Sequence, residues 1–193
     1  MKYTKATKEI KPQISQVFVE GFYQWLRFFS KDKVKLTHAF AHMFNTDCFF
    51  IAAENGSVTG IAACVAKGQR CVRLKKSEFR EHLGLIRGSI AYILLHKEFE
   101  VKEYPVLISE GTGTVEFVAV APEYRGKGIA AGVIKHIFTV TNFQEYILEV
   151  ADTNTAAVNL YKRLGFSDIL RVPQKHTKQS GINELVYMKK GRD

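Results

Sequence analysis

The chain has 193 residues, of which 46% are hydrophobic and 24% are charged, and these proportions exclude disordered and fibrous proteins. No apolar stretch reaches the roughly 18 residues of a membrane span, and the N-terminus is too polar for a signal peptide, so we expect a cytoplasmic protein without a membrane partner. The net charge of +9 favours polyanionic partners such as a nucleotide cofactor, but aromatic residues do not interleave with the lysines, so we interpret the charge as a solvated basic surface rather than a nucleic-acid site.

The first half of the chain predicts two helices followed by a β-hairpin. Apolar residues recur at helical spacing over residues 14–29 and again over residues 36–44. Two β-compatible runs follow, CFFIAAE and SVTGIAACVA. They are separated by Asn55 and Gly56, which tolerate the positive φ angles of a tight turn. We therefore expect two amphipathic helices and then an antiparallel pair of strands.

A third helix is predicted over residues 77–99, where apolar residues lie at near-helical intervals behind Ser77 as the N-cap. A loop follows, and TVEFVAVA then predicts a strand that ends at Pro122 and leads into a turn with two glycines. This order of helices and strands, without a repeat or linker, predicts one domain over residues 1–193 in the α/β (α+β) class. The remaining predicted elements are a helix over residues 127–141, a strand over 145–150, a helix over 155–164 ended by Gly165, and strands over 166–172 and 184–188.

The turn RGKGIA, residues 125–130, joins the predicted strand to the start of a helix. A helix start leaves backbone N–H groups unpaired, and these groups attract phosphate oxygens together with the positive end of the helix dipole. Gly126 and Gly128 allow close approach, and Arg125 and Lys127 add charge. Glycine also serves plain turn geometry, so this turn alone leaves both interpretations open. The sequence lacks a Walker loop and an N-terminal GxGxxG unit, which disfavours kinases and dinucleotide-binding enzymes.

A second motif, NTAAVNLYKRLGF, begins at Asn154 and follows the strand sequence EYILEV. Taken alone, it is an amphipathic helix with Tyr161 as a core aromatic residue and Gly165 as its C-terminal cap. The two motifs in this order resemble the GNAT acetyltransferase superfamily, whose acyl-CoA signature is Q/R-x-x-G-x-G/A and whose downstream motif is N-x-x-A-x-x-L-Y-x-x-x-G-F. The resemblance covers residues 115–166 closely and the rest of the chain loosely.

The resemblance implies a mixed central β-sheet flanked by helices, with a splay between the strands near residues 115–120 and 146–150. It implies acetyl-CoA as the cosubstrate, with its pantetheine bonded to the backbone of Val118 and Val120 inside the splay. Asn154 would contact the pantetheine region. The N–H groups that would hold the pyrophosphate belong to Arg125, Gly126, Lys127, Gly128, Ile129 and Ala130.

The same resemblance makes Tyr161 the general acid that protonates the departing CoA thiolate, because a phenol keeps its proton at neutral pH. Acyl transfer also needs a base that deprotonates the acceptor ammonium. Glu116 is the first candidate, since it alternates with Val118 and Val120 along one face of the strand, and Glu149 and Glu110 are its competitors. A backbone N–H, that of Val118, would stabilise the oxyanion.

The cysteines Cys48, Cys64 and Cys71 show no CxxC spacing, which argues against disulfides and a structural zinc site. We interpret them as reduced core thiols and expect no metal. A nucleophilic cysteine is a weaker alternative, because none of the three has an evident histidine partner nearby, although His38 or His82 remains open as a partner in space.

The acceptor remains open from the sequence. Between residues 65 and 113 the chain departs from the family by inserting a basic link and a helix, which would either cover the acceptor site or extend the core. A small-molecule amine is the first hypothesis, and a protein N-terminus or lysine is the second. A CoA-binding sensor without turnover is a third. The partners expected are thus acetyl-CoA and an amine-bearing acceptor, with a homodimer left open.

Overall fold

The computed structural model describes residues 1–175 and 177–192, apart from the side chains of Lys178 and Gln179. The strands are β1 (Lys2–Lys5), β2 (Phe49–Glu54), β3 (Ser57–Val65), β4 (Thr112–Val120), β5 (Glu145–Ala151), β6 (Ser167–Pro173) and β7 (Glu184–Gly191). The helices are α1 (Lys11–Leu26), α2 (Lys33–Ala41), α3 (Lys76–Leu83), α4 (Leu85–His96), α5 (Ile129–Val140), α6 (Thr155–Arg163) and the short α7 (Thr177–Ser180).

The strands form one mixed sheet in the order β1-β2-β3-β4-β5-β7-β6. β4 and β5 run parallel, and the other neighbouring pairs are antiparallel. Because successive residues of a strand face opposite sides of a sheet, β3 buries Ile61 and Ala63 on one face and Ala62 and Cys64 on the other. The predicted α/β class with a mixed central sheet is confirmed, as is the hairpin turn, where Asn55 and Gly56 have φ of 51° and 81°.

Helices cover both faces of the sheet. On the face that we call the α1–α4 face, the ring of Phe18 from α1 lies 5.3 Å from that of Phe40 and 5.7 Å from that of Phe117. On the opposite α5–α6 face, Ile137 of α5 and Tyr161 of α6 are buried in a second hydrophobic cluster. The two clusters share the sheet as their common wall.

The ladder between β4 and β5 ends halfway along both strands. The last paired residues are Val115 and Leu148, whereas β4 continues to Val120 and β5 continues to Ala151. A bulge lies at this point, since the register between β3 and β4 shifts beside Phe117, whose φ is 50°. Bulges bend a strand and increase its twist, so the two strands diverge. This confirms the predicted splay, and we call the gap beyond the last pair the β4–β5 opening.

The third predicted helix is divided into two. Gly84, with a φ of 83°, ends α3 and precedes α4, and a π-helical turn, Lys97–Val101, follows α4. The two helices pack closely, because a Cβ on Gly88 would lie 2.3 Å from the Phe79 carbonyl oxygen. The predicted N-cap, Ser77, is wrong: α3 begins one residue earlier, and its N-cap is Lys75. Apolar residues recur at near-helical intervals through both helices, so the sequence pattern does not indicate the break at Gly84.

Strand β1 was not predicted from the sequence. This four-residue edge strand contains two lysines, and lysine on an edge strand discourages pairing with other chains. Its polar composition resembles a solvated terminus, yet Tyr3 packs against the hydrophobic cluster of the α5–α6 face. In the described part of the chain, no helix is both long enough and apolar enough to cross a membrane.

Candidate active site

Two carboxylates lie at the mouth of the β4–β5 opening. Glu116 directly follows Val115, and Glu149 directly follows Leu148, so each is the first residue beyond the last parallel pair. Val115 and Leu148 are buried on the α5–α6 face. Because side chains alternate along a strand, both carboxylates face the α1–α4 side. The structure therefore brings together two of the three glutamates considered as the base.

The bulge in β4 corrects one prediction about this strand. Simple alternation put Glu116, Val118 and Val120 on one face, but Val118 and Val120 pack on the α5–α6 face. Phe117, which follows Glu116, packs on the α1–α4 face instead. The predicted shared face is wrong because the bulge adds one residue and shifts the alternation by one position.

Three side chains surround the Glu116 carboxylate. The Cys71 thiol donates to Oε2 at 3.0 Å, the Thr114 hydroxyl donates to Oε1 at 3.2 Å, and the Tyr104 hydroxyl lies 3.5 Å from Oε1. Burial raises the pKa of Glu116, and the hydrogen bonds from these three donors offset that effect only in part. A carboxylate with a raised pKa accepts a proton more readily, which suits a general base.

Glu149 has a different environment, because it is ion-paired. Lys102 Nζ lies 2.9 Å from Glu149 Oε1 and 2.8 Å from Glu98 Oε1, and the Tyr187 hydroxyl donates to the other Glu149 oxygen. Burial opposes the charge on Lys102, but the attraction and hydrogen bonds of Glu149 and Glu98 together outweigh burial and leave the pKa of Lys102 raised. Burial and the bond to Glu149 also raise the pKa of Tyr187. Glu149 is therefore held in place by a lysine and a tyrosine.

The segment between β3 and β4 reaches both carboxylates. It contributes Cys71 and Tyr104 to Glu116 and Lys102 to Glu149. The insertion thus lies against the α1–α4 side of the opening. The third candidate base, Glu110, has 87% of its side chain exposed and pairs with Lys67 at 3.6 Å, so it does not join this group.

The turn at residues 125–130 has the geometry of an anion site. Gly126 and Gly128 have φ of 75° and 76°, and a Cβ on either would meet no atom of the described residues within 4 Å. Gly128 is the N-cap of α5, and the first amide that bonds back to it is that of Gly132, at 3.0 Å. Within the described residues, the amides of residues 126–131 therefore have no acceptor. Arg125 and Lys127 are exposed beside them.

Val118 and Val120 lie on the unpaired edge of β4, facing the opening. The Val120 carbonyl accepts a hydrogen bond from Arg125 Nε at 3.2 Å. A cofactor lying along this edge would bond to the Val120 amide or displace the guanidinium. The Arg125 Nη2 also reaches the carbonyl of Glu20 at 3.4 Å, so Arg125 links the turn to helix α1.

Tyr161 and Asn154 belong to helix α6. Tyr161 is only 6% exposed, and its ring lies 6.0 Å from that of Phe166. Burial raises its pKa, so the phenol keeps its proton at neutral pH. Its hydroxyl has no hydrogen-bond partner among the described residues. The Asn154 side chain caps the helix by accepting from the Ala157 amide at 3.3 Å, which leaves its NH₂ group for other contacts.

The cysteines are all buried and free, as predicted. Burial raises the pKa of each thiol, that of Cys64 to about 12, so none forms a thiolate readily. His38 and His82 stack on each other, 5.7 Å apart, rather than on a cysteine. In the described part of the chain, potential metal ligands converge only on α3, at Glu78, Glu81 and His82, and none of these is a predicted site residue.

Sequence reasoning missed Lys102, Tyr104 and Tyr187. Their partners are far away in the sequence: Lys102 is 47 residues from Glu149, and Tyr187 is 38 residues from it. No local spacing could have indicated these contacts. A lysine and a tyrosine in a loop following a helix have the ordinary composition of a surface segment.

Comparisons with known proteins identify the family of this chain. A model of the acetyltransferase (GNAT) family matches residues 18–166. An N-alpha-acetyltransferase of Sulfurisphaera tokodaii is 34% identical over 104 residues, which are 50% of this chain and 61% of that protein. A thialysine N-epsilon-acetyltransferase of Sus scrofa is 36% identical over 80 residues, which are 38% of this chain and 47% of that protein. The chain thus spans less than two thirds of either relative.

Among solved structures, yncA from Salmonella typhimurium was determined with its cofactor acetyl-CoA. It matches with a TM-score of 0.59 and 16% identity, and the match covers 100% of this chain and 94% of that one. At this level of identity, the likeness concerns the fold.

Proposed function

Since the chain belongs to the acetyltransferase (GNAT) family, we propose that it transfers an acetyl group from acetyl-CoA to a primary amine by direct attack in a ternary complex. One observation carries this proposal. The β4–β5 opening has a turn with free amides at the far end of β4 and two carboxylates at its mouth. Such an opening accommodates an extended ligand with an anionic end, and it aims the other end of the ligand at a base.

The cofactor would lie along β4. Its pyrophosphate would accept hydrogen bonds from the amides of residues 126–130, where the helix dipole of α5 adds attraction. The Arg125 amide, predicted to join them, instead donates to the Pro122 carbonyl at 3.3 Å. The pantetheine would bond to the backbone of Val118 and Val120 and to the free NH₂ group of Asn154. Because the unpaired edge of β4 at Val118 and Val120 faces the opening, the thioester would lie within the opening, between the two faces of the sheet.

The base is assigned to Glu116. An acceptor ammonium must lose a proton before its lone pair can attack the carbonyl carbon, and the raised pKa of Glu116 matches that task. Glu149 is the second candidate, but both of its oxygens are already engaged, one by Lys102 and the other by Tyr187. We assign to Glu149 the attraction of the cationic acceptor.

The acid is assigned to Tyr161. Attack on the thioester forms a tetrahedral oxyanion, which the Val118 amide would stabilise, and its collapse expels the CoA thiolate. Tyr161 retains its proton because burial raises its pKa, and its hydroxyl is free to donate to the leaving sulfur. Base and acid would thus act from opposite faces of the sheet.

A small-molecule amine is the preferred acceptor, and a protein N-terminus or lysine is the alternative. Both classes occur among the relatives, since one acts as an N-alpha-acetyltransferase and another as a thialysine N-epsilon-acetyltransferase. Two carboxylates at the mouth attract any cationic amine and do not distinguish these classes. A cytoplasmic location and a single acyl-CoA N-acyltransferase domain over residues 1–193 stay predictions.

Release of CoA thiol from acetyl-CoA tests the proposal. The purified protein is incubated with acetyl-CoA and a panel containing polyamines, amino acids, lysine analogues and peptides with free N-termini. We expect acceptor-dependent thiol release with at least one class of amine. If acetyl-CoA raises the Tm of the protein but no acceptor causes release of CoA thiol, the protein would instead be a CoA-binding sensor.

A further inference from the structure

A cavity of about 490 Å³ lies outside the β4–β5 opening. It is formed where the start of α1, the end of α2 and the link between β3 and α3 meet. None of residues 125–130 lines it, so it is separate from the turn assigned to the CoA pyrophosphate. We call it the basic pocket, and its polar lining residues are Lys11, His42, Asn45, Arg70, Arg73 and Lys75.

The lining of the basic pocket has an excess of positive charge. Among the residues that the structure describes, four that line the pocket are lysine or arginine and none is aspartate or glutamate. Over the described residues, none of these four side chains takes part in an ion pair or a side-chain hydrogen bond. Burial lowers the pKa of His42, so the four cations alone supply the charge. Like charges gathered around one concavity favour an anionic ligand.

The wall that holds these cations is ordered by backbone hydrogen bonds. The Asn45 amide donates to the Cys71 carbonyl at 2.8 Å, and the Arg73 amide donates to the Met43 carbonyl at 2.8 Å. The Lys75 amide donates to His42 Nε2 at 2.9 Å. The backbone positions of Arg73 and Lys75 are therefore fixed before any ligand arrives, which reduces the entropy lost on binding.

The size and charge of the basic pocket indicate which class of ligand it binds. Its volume lies within the range of about 300–1,000 Å³ that is usual for small-molecule sites, and four cations match the charge of a di- or triphosphate. The aromatic residue in its lining, Phe44, is only 1% exposed, so it offers no stacking platform for a nucleic-acid strand. We propose that the basic pocket binds a small ligand through a di- or triphosphate group.

Calorimetric titration with sodium tripolyphosphate tests this site. The protein is first saturated with CoA, so that the turn at residues 125–130 is occupied, and a separate CoA titration verifies that saturation. We expect one remaining tripolyphosphate site. Arg70→Gln together with Arg73→Gln should weaken it by about tenfold or more, because hydrogen bonds to charged groups are lost.

A matched control removes two charges elsewhere. Lys35→Gln together with Arg163→Gln changes two exposed cations outside the pocket, and it should leave the affinity for tripolyphosphate within about twofold, a difference far below 1.4 kcal/mol. Thermal melts of both double variants verify their folding.

No binding of tripolyphosphate to the CoA-saturated protein, or equal weakening in both double variants, would overturn the proposal. Tighter binding of a single-stranded oligonucleotide, abolished by the Arg70 and Arg73 substitutions, would also overturn it by identifying an extended nucleic-acid ligand.

Discussion

The two sides of the β4–β5 opening differ in how their residues are brought together. On the α5–α6 side, the turn after β4 and helix α6 hold their functional residues in two short, contiguous stretches. On the α1–α4 side, Glu116 and Glu149 meet Cys71, Lys102, Tyr104 and Tyr187, which come from three separate parts of the chain.

This difference follows from the tasks that we assign to the two sides. Holding a pyrophosphate requires successive backbone amides at a helix start, and such amides are contiguous by nature. Holding an amine requires charged side chains from several directions, and only the fold can supply these. The α5–α6 side should therefore govern cofactor affinity, and the α1–α4 side should govern deprotonation of the acceptor.

The largest effect is expected from Gly128→Glu. The substitution adds a carboxylate against the phosphates and a side chain at a φ of 76°, and like-charge contact costs several kcal/mol. We expect acetyl-CoA affinity to fall by roughly 100-fold or more, as measured by calorimetry. Gly56→Glu is the control, because Gly56 has a similar φ of 81° and equally open surroundings. Wild-type affinity in Gly128→Glu would show that the cofactor binds elsewhere.

The next largest effect is expected from Glu116→Gln on the other side of the opening. Loss of the base should lower kcat/KM by about 1,000-fold, within the usual range for general base catalysis, while acetyl-CoA affinity stays the same. In the wild type, the rate should rise with pH as Glu116 ionises through its raised pKa, and the variant should lack this rise. Glu149→Gln is the comparison. If kcat/KM falls further in Glu149→Gln than in Glu116→Gln, then Glu149 is the base and Glu116 attracts the acceptor.

Tyr161→Phe should lower kcat by about 100-fold, because the leaving thiolate is no longer protonated. Acetyl-CoA affinity should again be unchanged, since the ring stays buried against Phe166. Tyr146→Phe is the matched control, as it removes a hydroxyl that bonds Thr141 instead. Equal rates in the wild type and Tyr161→Phe would leave Tyr161 as a core residue only.

The smallest effect concerns stability. Burial raises the pKa of Glu116 in the folded state, so the fold favours the protonated carboxyl over the carboxylate. The free energy of unfolding of the wild type therefore falls as pH rises through that pKa. Glu116→Gln cannot ionise and should gain relative to the wild type as pH rises. A Tm advantage of about 2–4 °C at neutral pH, equivalent to about 1 kcal/mol in a chain of this size, should vanish at acidic pH. A Tm advantage that does not change with pH would contradict the claim that the buried Glu116 carboxylate lowers stability when it ionises.

The same difference between the two sides explains what the sequence could predict. The turn at residues 125–130 and helix α6 were predicted because their chemistry depends on adjacent residues. The bulge at Phe117 was not predicted, since β-bulges depend on the neighbouring strand. For that reason, Glu116 was predicted on the wrong face relative to Val118. The residues around the two carboxylates depend on contacts of high sequence separation, which no local pattern records.

The crystal structure of a complex with acetyl-CoA tests the central claim most directly. We predict the pyrophosphate at the amides of residues 126–130, the pantetheine along Val118 and Val120, and the thioester between Glu116 and Tyr161. The acyl carbon should face the α1–α4 side, where an acceptor amine would approach. A cofactor bound outside the β4–β5 opening, or a thioester remote from both Glu116 and Tyr161, would contradict this account.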